Sequence, residues 1–131
     1  MINKELELEE FVRREYGFAS HAVMSGAVHF HEFLRWVDLM IETYDNLPTF
    51  VFDLIDTKNI SEAEKFAPRH CYSGLSGKES EVLRAIAVRR FPDRDKDLSS
   101  ITPKTALKRL EQYPHVVERF KKTFPFIKLD F

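Results

Sequence analysis

Apolar residues recur along this chain at the three- and four-residue spacing of a helical face, and the breaks between such stretches fall at proline, glycine and capping residues. The clearest stretch runs from His29 to Tyr44, where Phe30, Phe33, Leu34, Val37, Ile41 and Tyr44 share one face and Trp36 and Met40 widen it. At about 100° per residue these positions span roughly 160° of the circumference. That width predicts a central helix touched on two sides. An earlier helix is expected from Leu6, Leu8, Phe11, Val12 and Tyr16, capped by Asn3 and stopped at Gly17, with a loop or loose turn from Phe18 to Val28.

Pro48 opens a short helix whose inner face is Phe50, Val51, Leu54 and Ile55, although Thr49-Phe50-Val51-Phe52 also suits a strand. Ser61 with Glu64 marks a further turn, which Pro68 ends. Ser76-Gly77-Lys78-Glu79 is a capping box opening a helix through Arg90, with Val82, Leu83, Ile86 and Ala87 inward. Thr102-Pro103 opens another through about Gln112, and Pro114 opens the last, with Val116, Val117 and Phe120 inward. The tail 126–131 alternates apolar and charged residues and reads as an extended segment or edge strand laid on the core. The expected fold class is therefore mainly α: a compact single domain over residues 1–131, built as a bundle of five to seven helices. A length of 131 residues, 44% of them apolar and 12 of them Phe, suits one substantial aromatic core.

The net charge of −1 conceals a division. Residues 1–65 hold 13 Asp/Glu against 6 Lys/Arg, and residues 66–131 hold 8 against 14, so the halves carry −7 and +6. Such asymmetry marks either a partner surface or two halves that neutralise each other on folding. On the acidic side, Asp38, Glu42 and Asp45 lie along one flank of the long helix, with Leu39 the lone apolar residue among them, and Asp53 and Asp56 follow Pro48. These six residues form the candidate docking face for a basic protein, with Tyr44 or Phe52 as apolar anchors. The alternative uses the basic half. Arg84, Arg89, Arg90 and Arg94 lie along and after one helix, Lys104, Lys108, Arg109, Arg119, Lys121 and Lys122 lie on the last two, and Arg89, Arg90, Lys121 and Lys122 form the candidate nucleic-acid surface. Against it, the second helix of any helix-turn-helix there begins at Pro114 and carries Glu118, and a near-zero net charge gives little attraction for phosphate.

No constellation of residues amounts to an active site. His29-x-His31-Glu32 resembles a ligand set, but on a helix the two histidines point about 200° apart. Gly74-Leu75-Ser76-Gly77-Lys78 lacks the spacing of a phosphate-binding loop, and the capping box accounts for Ser76 and Glu79. Cys71, the one cysteine, reads as a small core residue and not as the partner of His70. No enzyme activity, cofactor or metal is expected. A lone cysteine and a charged N-terminus point to the cytoplasm, and no stretch is long enough for a membrane span.

Two segments carry a family likeness: Asp45-Asn46-Leu47-Pro48-Thr49-Phe50-Val51-Phe52-Asp53-Leu54-Ile55-Asp56, with the aromatic helix before it, and Leu75-Ser76-Gly77-Lys78-Glu79-Ser80-Glu81-Val82-Leu83-Arg84-Ala85-Ile86-Ala87. Over about a third of the chain, the sequence resembles small bacterial immunity proteins of contact-dependent and polymorphic toxin systems. The resemblance implies a cytoplasmic, non-enzymatic protein that binds a cognate toxin domain, often a nuclease, and blocks its active site or its access to substrate. It supplies no shared binding residues, so the acidic candidates rest on charge and helix geometry alone.

Overall fold

The computed structural model describes residues 4–93 and 102–131, which places the Asn3 cap and Arg94 outside the described residues. Seven helices are found among them: α1 (Lys4–Met24), α2 (Phe30–Thr43), α3 (Thr49–Asp53), α4 (Ile60–Phe66), α5 (Gly77–Arg90), α6 (Pro103–Gln112) and α7 (Pro114–Thr123). The expected mainly-α bundle is thus the observed fold. No strand occurs among the described residues. Residues 49–52 are helical, and the tail leaves α7 through a turn and continues without ladder partners, packing Ile127 into the core.

Gly17 does not stop α1, which continues for two more turns to Met24. The stop lies at Gly26, whose φ of 80° is the left-handed conformation that glycine adopts without strain. Gly26 N donates to Val23 O and Ala27 N to Ala22 O, the paired bonds of a Schellman motif. Gly17 serves a different purpose. The irregular segment 67–76 crosses α1 there, and a Cβ at Gly17 would lie 2.5 Å from the Tyr72 carbonyl carbon and 2.9 Å from Ser73 N. Consequently Tyr16 to Ser20 is buried on every side, and the enclosed centre of the bundle is this stretch of α1. α2 buries Phe33, Trp36, Val37 and Met40 but leaves Phe30, Leu34 and Ile41 only half-buried.

The helix starts follow local chemistry. Ser76 Oγ accepts from Glu79 N while Glu79 accepts from Ser76 N, completing the expected capping box. Thr102 caps α6 through Thr105 N, and proline fills the first position of both α6 and α7. The cap of α4 falls two residues earlier than Ser61: Asn59 Oδ1 accepts from Glu62 N. Glu62 in turn accepts from Lys58 N, so Ser61 and Glu64 are displaced by a better local pairing.

Packing divides the helices into two groups. α1 packs on α2 and α4, α3 packs on α2 and α4, and α5, α6 and α7 pack on one another. One core joins the groups, with Tyr16 edge-on to Phe33 and Phe50 at 6.1 and 5.8 Å, and Phe120 against Phe124 at 5.0 Å. Side chains of the later helices also grip the earlier backbone: Arg84 donates to Ser25 O and Arg90 to Ala27 O.

Two glycines separate the effects of helix propensity and close approach. Gly77→Ala, with nothing within 4 Å of the new Cβ, is expected to stabilise by up to about 1 kcal/mol. Gly17→Ala is expected to destabilise by about 1–3 kcal/mol despite the better helix former, because backbone must move. Urea unfolding midpoints test both, and a Gly17→Ala protein as stable as wild type would contradict the crossing.

Candidate functional site

The acidic candidates are surface groups placed by α2, α3 and the turns after them. Asp38 and Glu42 are exposed on successive turns of α2, and Leu39 lies half-buried beside them. With Arg35, Pro125 and Phe126 these three line a groove of about 420 Å³. The Arg35 guanidinium lies 4.4 Å from the centre of the Phe126 ring, so its charge rests on an aromatic face and forms no ion pair with Asp38 one turn on. Asp45 is exposed just beyond α2, Asp53 ends α3, and Asp56 follows in the next turn. None of these three reaches the groove lining. The structure therefore brings Asp38, Leu39 and Glu42 together and leaves Asp45, Asp53 and Asp56 on the adjoining surface.

Ile55 departs from expectation. It faces solvent at 45% exposure, because α3 ends at Asp53 and the turn after it buries Leu54 alone. Ile55 N donates to Phe52 O, which keeps these two residues one turn apart, and Phe52 is 48% exposed. Asp53 and Asp56 repeat the same spacing one position on, so an apolar pair and an acidic pair lie side by side. Phe66, 48% exposed at the end of α4, adds a further apolar residue that periodicity did not single out. Tyr44 is half-buried and packs on Phe11 at 5.5 Å, so of the two expected anchors Phe52 is the more open.

The two charged halves pair little with each other among the described residues. Among the described residues one ion pair joins them, Arg90 to Glu32 at 2.7 Å. The basic half supplies its own partners: Arg89 to Asp130, Arg109 to Glu81, His115 to Glu79 and Lys121 to Glu118. Asp38, Glu42, Asp45, Asp53 and Asp56 form an ion pair with no described residue. Of the four basic candidates, Arg90 is committed to Glu32, to Ala27 O and to the Phe91 ring. Arg89 stacks over Phe131, Lys121 pairs within its helix, and Lys122 is exposed without an ion pair among the described residues.

His29 and His31 also differ from the helical expectation. His29 precedes the first turn of α2, so the rings stack at 5.2 Å instead of diverging. Parallel rings do not converge on an ion, and no group of three His, Cys, Asp or Glu that could hold a metal occurs among the described residues. Cys71 donates to Pro68 O, and its thiol is pushed up by burial. Its neighbour His70 faces the Tyr72 hydroxyl at 3.4 Å. No described helix is long and apolar enough to cross a membrane.

Two carboxylates are tuned by their partners. Burial alone would raise the Glu32 carboxyl, but hydrogen bonds from Arg90 and from His29 N hold it below its ordinary value of 4.5. Glu79 is held at about 2 by its hydrogen bond with His115 and by two from Ser76. The protein matches no family model, no curated protein and no solved structure.

A depressed folded-state pKa contributes stability above the unfolded value and loses it as pH falls. The Glu32 contribution is thus complete above 4.5 and fades below it. Glu32→Gln, which leaves Arg90 in a mostly buried site, is expected to cost about 3 kcal/mol at neutral pH and to flatten this acid dependence. Urea midpoints across that range measure both effects. For Glu79, carbon-detected NMR titration is expected to give a pKa of about 2, rising towards 4.5 in His115→Ala; no change in that variant would refute the pairing.

Proposed function

We propose that this protein is a non-enzymatic, cytoplasmic binding protein of the immunity type. In this reading it neutralises a cognate toxin domain by docking a basic surface of it on the acidic face of α2 and α3. The observation that carries the reading is a set of carboxylates that form no ion pair among the described residues, beside exposed apolar side chains. Asp38 and Glu42 flank the Phe126 groove, and Asp53 and Asp56 run alongside Phe52 and Ile55.

The chemistry supports the assignment in two ways. Exposed carboxylates that no described residue pairs attract an oppositely charged partner over a range set by salt and accelerate encounter. Phe52 and Ile55 supply apolar area whose burial adds affinity, with aromatic anchors favoured at such sites. The resemblance to immunity proteins names the partner class, and a nuclease with a basic nucleic-acid surface would suit the charge.

The test is binding to the toxin domain encoded beside this protein. Asp38→Lys with Glu42→Lys is expected to slow association about tenfold or more and to abolish protection of cells expressing the toxin. Phe52→Glu is expected mainly to speed dissociation. Wild-type association should slow as salt rises. Protection by the double charge-reversal variant equal to wild type would reject the acidic face as the docking surface.

A further inference from the structure

A second groove, of about 350 Å³, opens where α7 meets α1 and α2, on the other side of Leu39 from the acidic groove. Its volume lies at the low end of the roughly 300–1,000 Å³ typical of small-molecule sites. Phe11, Leu39 and Tyr44, each half-buried, supply the accessible apolar wall. Trp36 and Met40 border the groove but are all but buried, and the charged lining is Arg119, Lys122 and Glu15. Two cations against one carboxylate leave the lining with an excess of one positive charge. Neither Asp38 nor Glu42 reaches it.

The fold engages Arg119 in part and leaves Lys122 to solvent. Lys122 is exposed and forms an ion pair with no described residue. Arg119 donates Nη1 to Ser73 O and lies 4.4 Å over the Phe18 ring, while its Nη2 is shielded from solvent and has no hydrogen-bond partner. Burial pulls this guanidinium below the ordinary arginine value, with Arg14 adding to the effect and Glu15 and Glu79 opposing it. Glu15 is partly engaged already, accepting from Thr123 Oγ1 at 3.3 Å.

We propose that this groove binds a small organic monocarboxylate, its apolar body against Phe11, Leu39 and Tyr44 and its carboxylate towards Lys122, with the Arg119 charge adding to the attraction. A cation is disfavoured by the excess positive charge. A bare inorganic anion would leave the apolar wall unused, and a neutral apolar molecule would leave the cations unmatched. The proposal does not rest on the docking face: the two grooves share Leu39 but carry opposite charge.

Trp36 is the chain's one tryptophan and lines this groove, so intrinsic fluorescence reads occupancy directly. Titration with hexanoate is expected to give a saturable change, with 1-hexanol binding at least about fivefold more weakly and inorganic phosphate giving no saturation. Lys122→Gln is expected to weaken hexanoate about twofold to fivefold, and Lys122→Glu more. Lys122 is exposed, so both variants should fold, while Arg119, which holds Ser73, is left intact. Amide shifts in NMR, mapped with the same ligand, should centre on Phe11, Trp36 and Lys122. No saturable response in either measurement, hexanol binding as tightly as hexanoate, or unchanged affinity in Lys122→Glu would each overturn the proposal.

Discussion

Arg90 joins the two groups of helices where α1 turns into α2, and the arrangement of the bundle depends on that junction. The Schellman turn at Gly26 buries Ala27 and Val28 completely or nearly so. A buried carbonyl needs a donor. Arg90 supplies it from the last turn of α5, 63 positions away, donating to Ala27 O. A guanidinium so placed needs an anion, and Glu32 provides it with both oxygens while also accepting from His29 N at the start of α2. One cation thereby fixes the end of the turn, the beginning of α2 and the position of α5.

The segment 67–76 is secured in the same manner. It has no ladder or helix of its own, so side chains from two helices satisfy it: Arg119 of α7 donates to Ser73 O, and His21 of α1 meets Ser73 Oγ at 3.0 Å. Gly17 lets the segment lie directly on α1. Positive φ at His70 and Gly74 bends it on either side of that crossing. Irregular backbone is tolerated here because polar groups of the segment are met from outside, at Ser73, and from within, where Cys71 donates to Pro68 O.

These commitments also explain how charge is distributed over the surface. The arginines that reach across the molecule are spent on carbonyls and on Glu32, and Arg89, Arg109 and Lys121 find carboxylates within their own half. The acidic residues of α2, α3 and their turns are left without ion pairs among the described residues. Groups that the fold does not neutralise are the ones available to a partner. The two grooves either side of Leu39 inherit opposite character from this arrangement: carboxylates beside Phe126 in one, cations beside Trp36 in the other.

Much of this was legible in the chain before folding. The 3.6-residue period and the caps at Ser76, Thr102 and Pro114 located α2, α5, α6 and α7, because propensity, capping and amphipathic spacing are local properties. The acidic flank of α2 was legible for the same reason. The long-range facts were not. Gly17 as a point of close approach, Ile55 facing solvent, the stacked histidines and the choice of Glu32 as the partner of Arg90 all depend on which elements meet. By itself the sequence determined the helices and the imbalance of charge along them, since both are set by neighbouring residues. Only the tertiary structure decided which charges pair and which face solvent, because that depends on contacts between residues tens of positions apart.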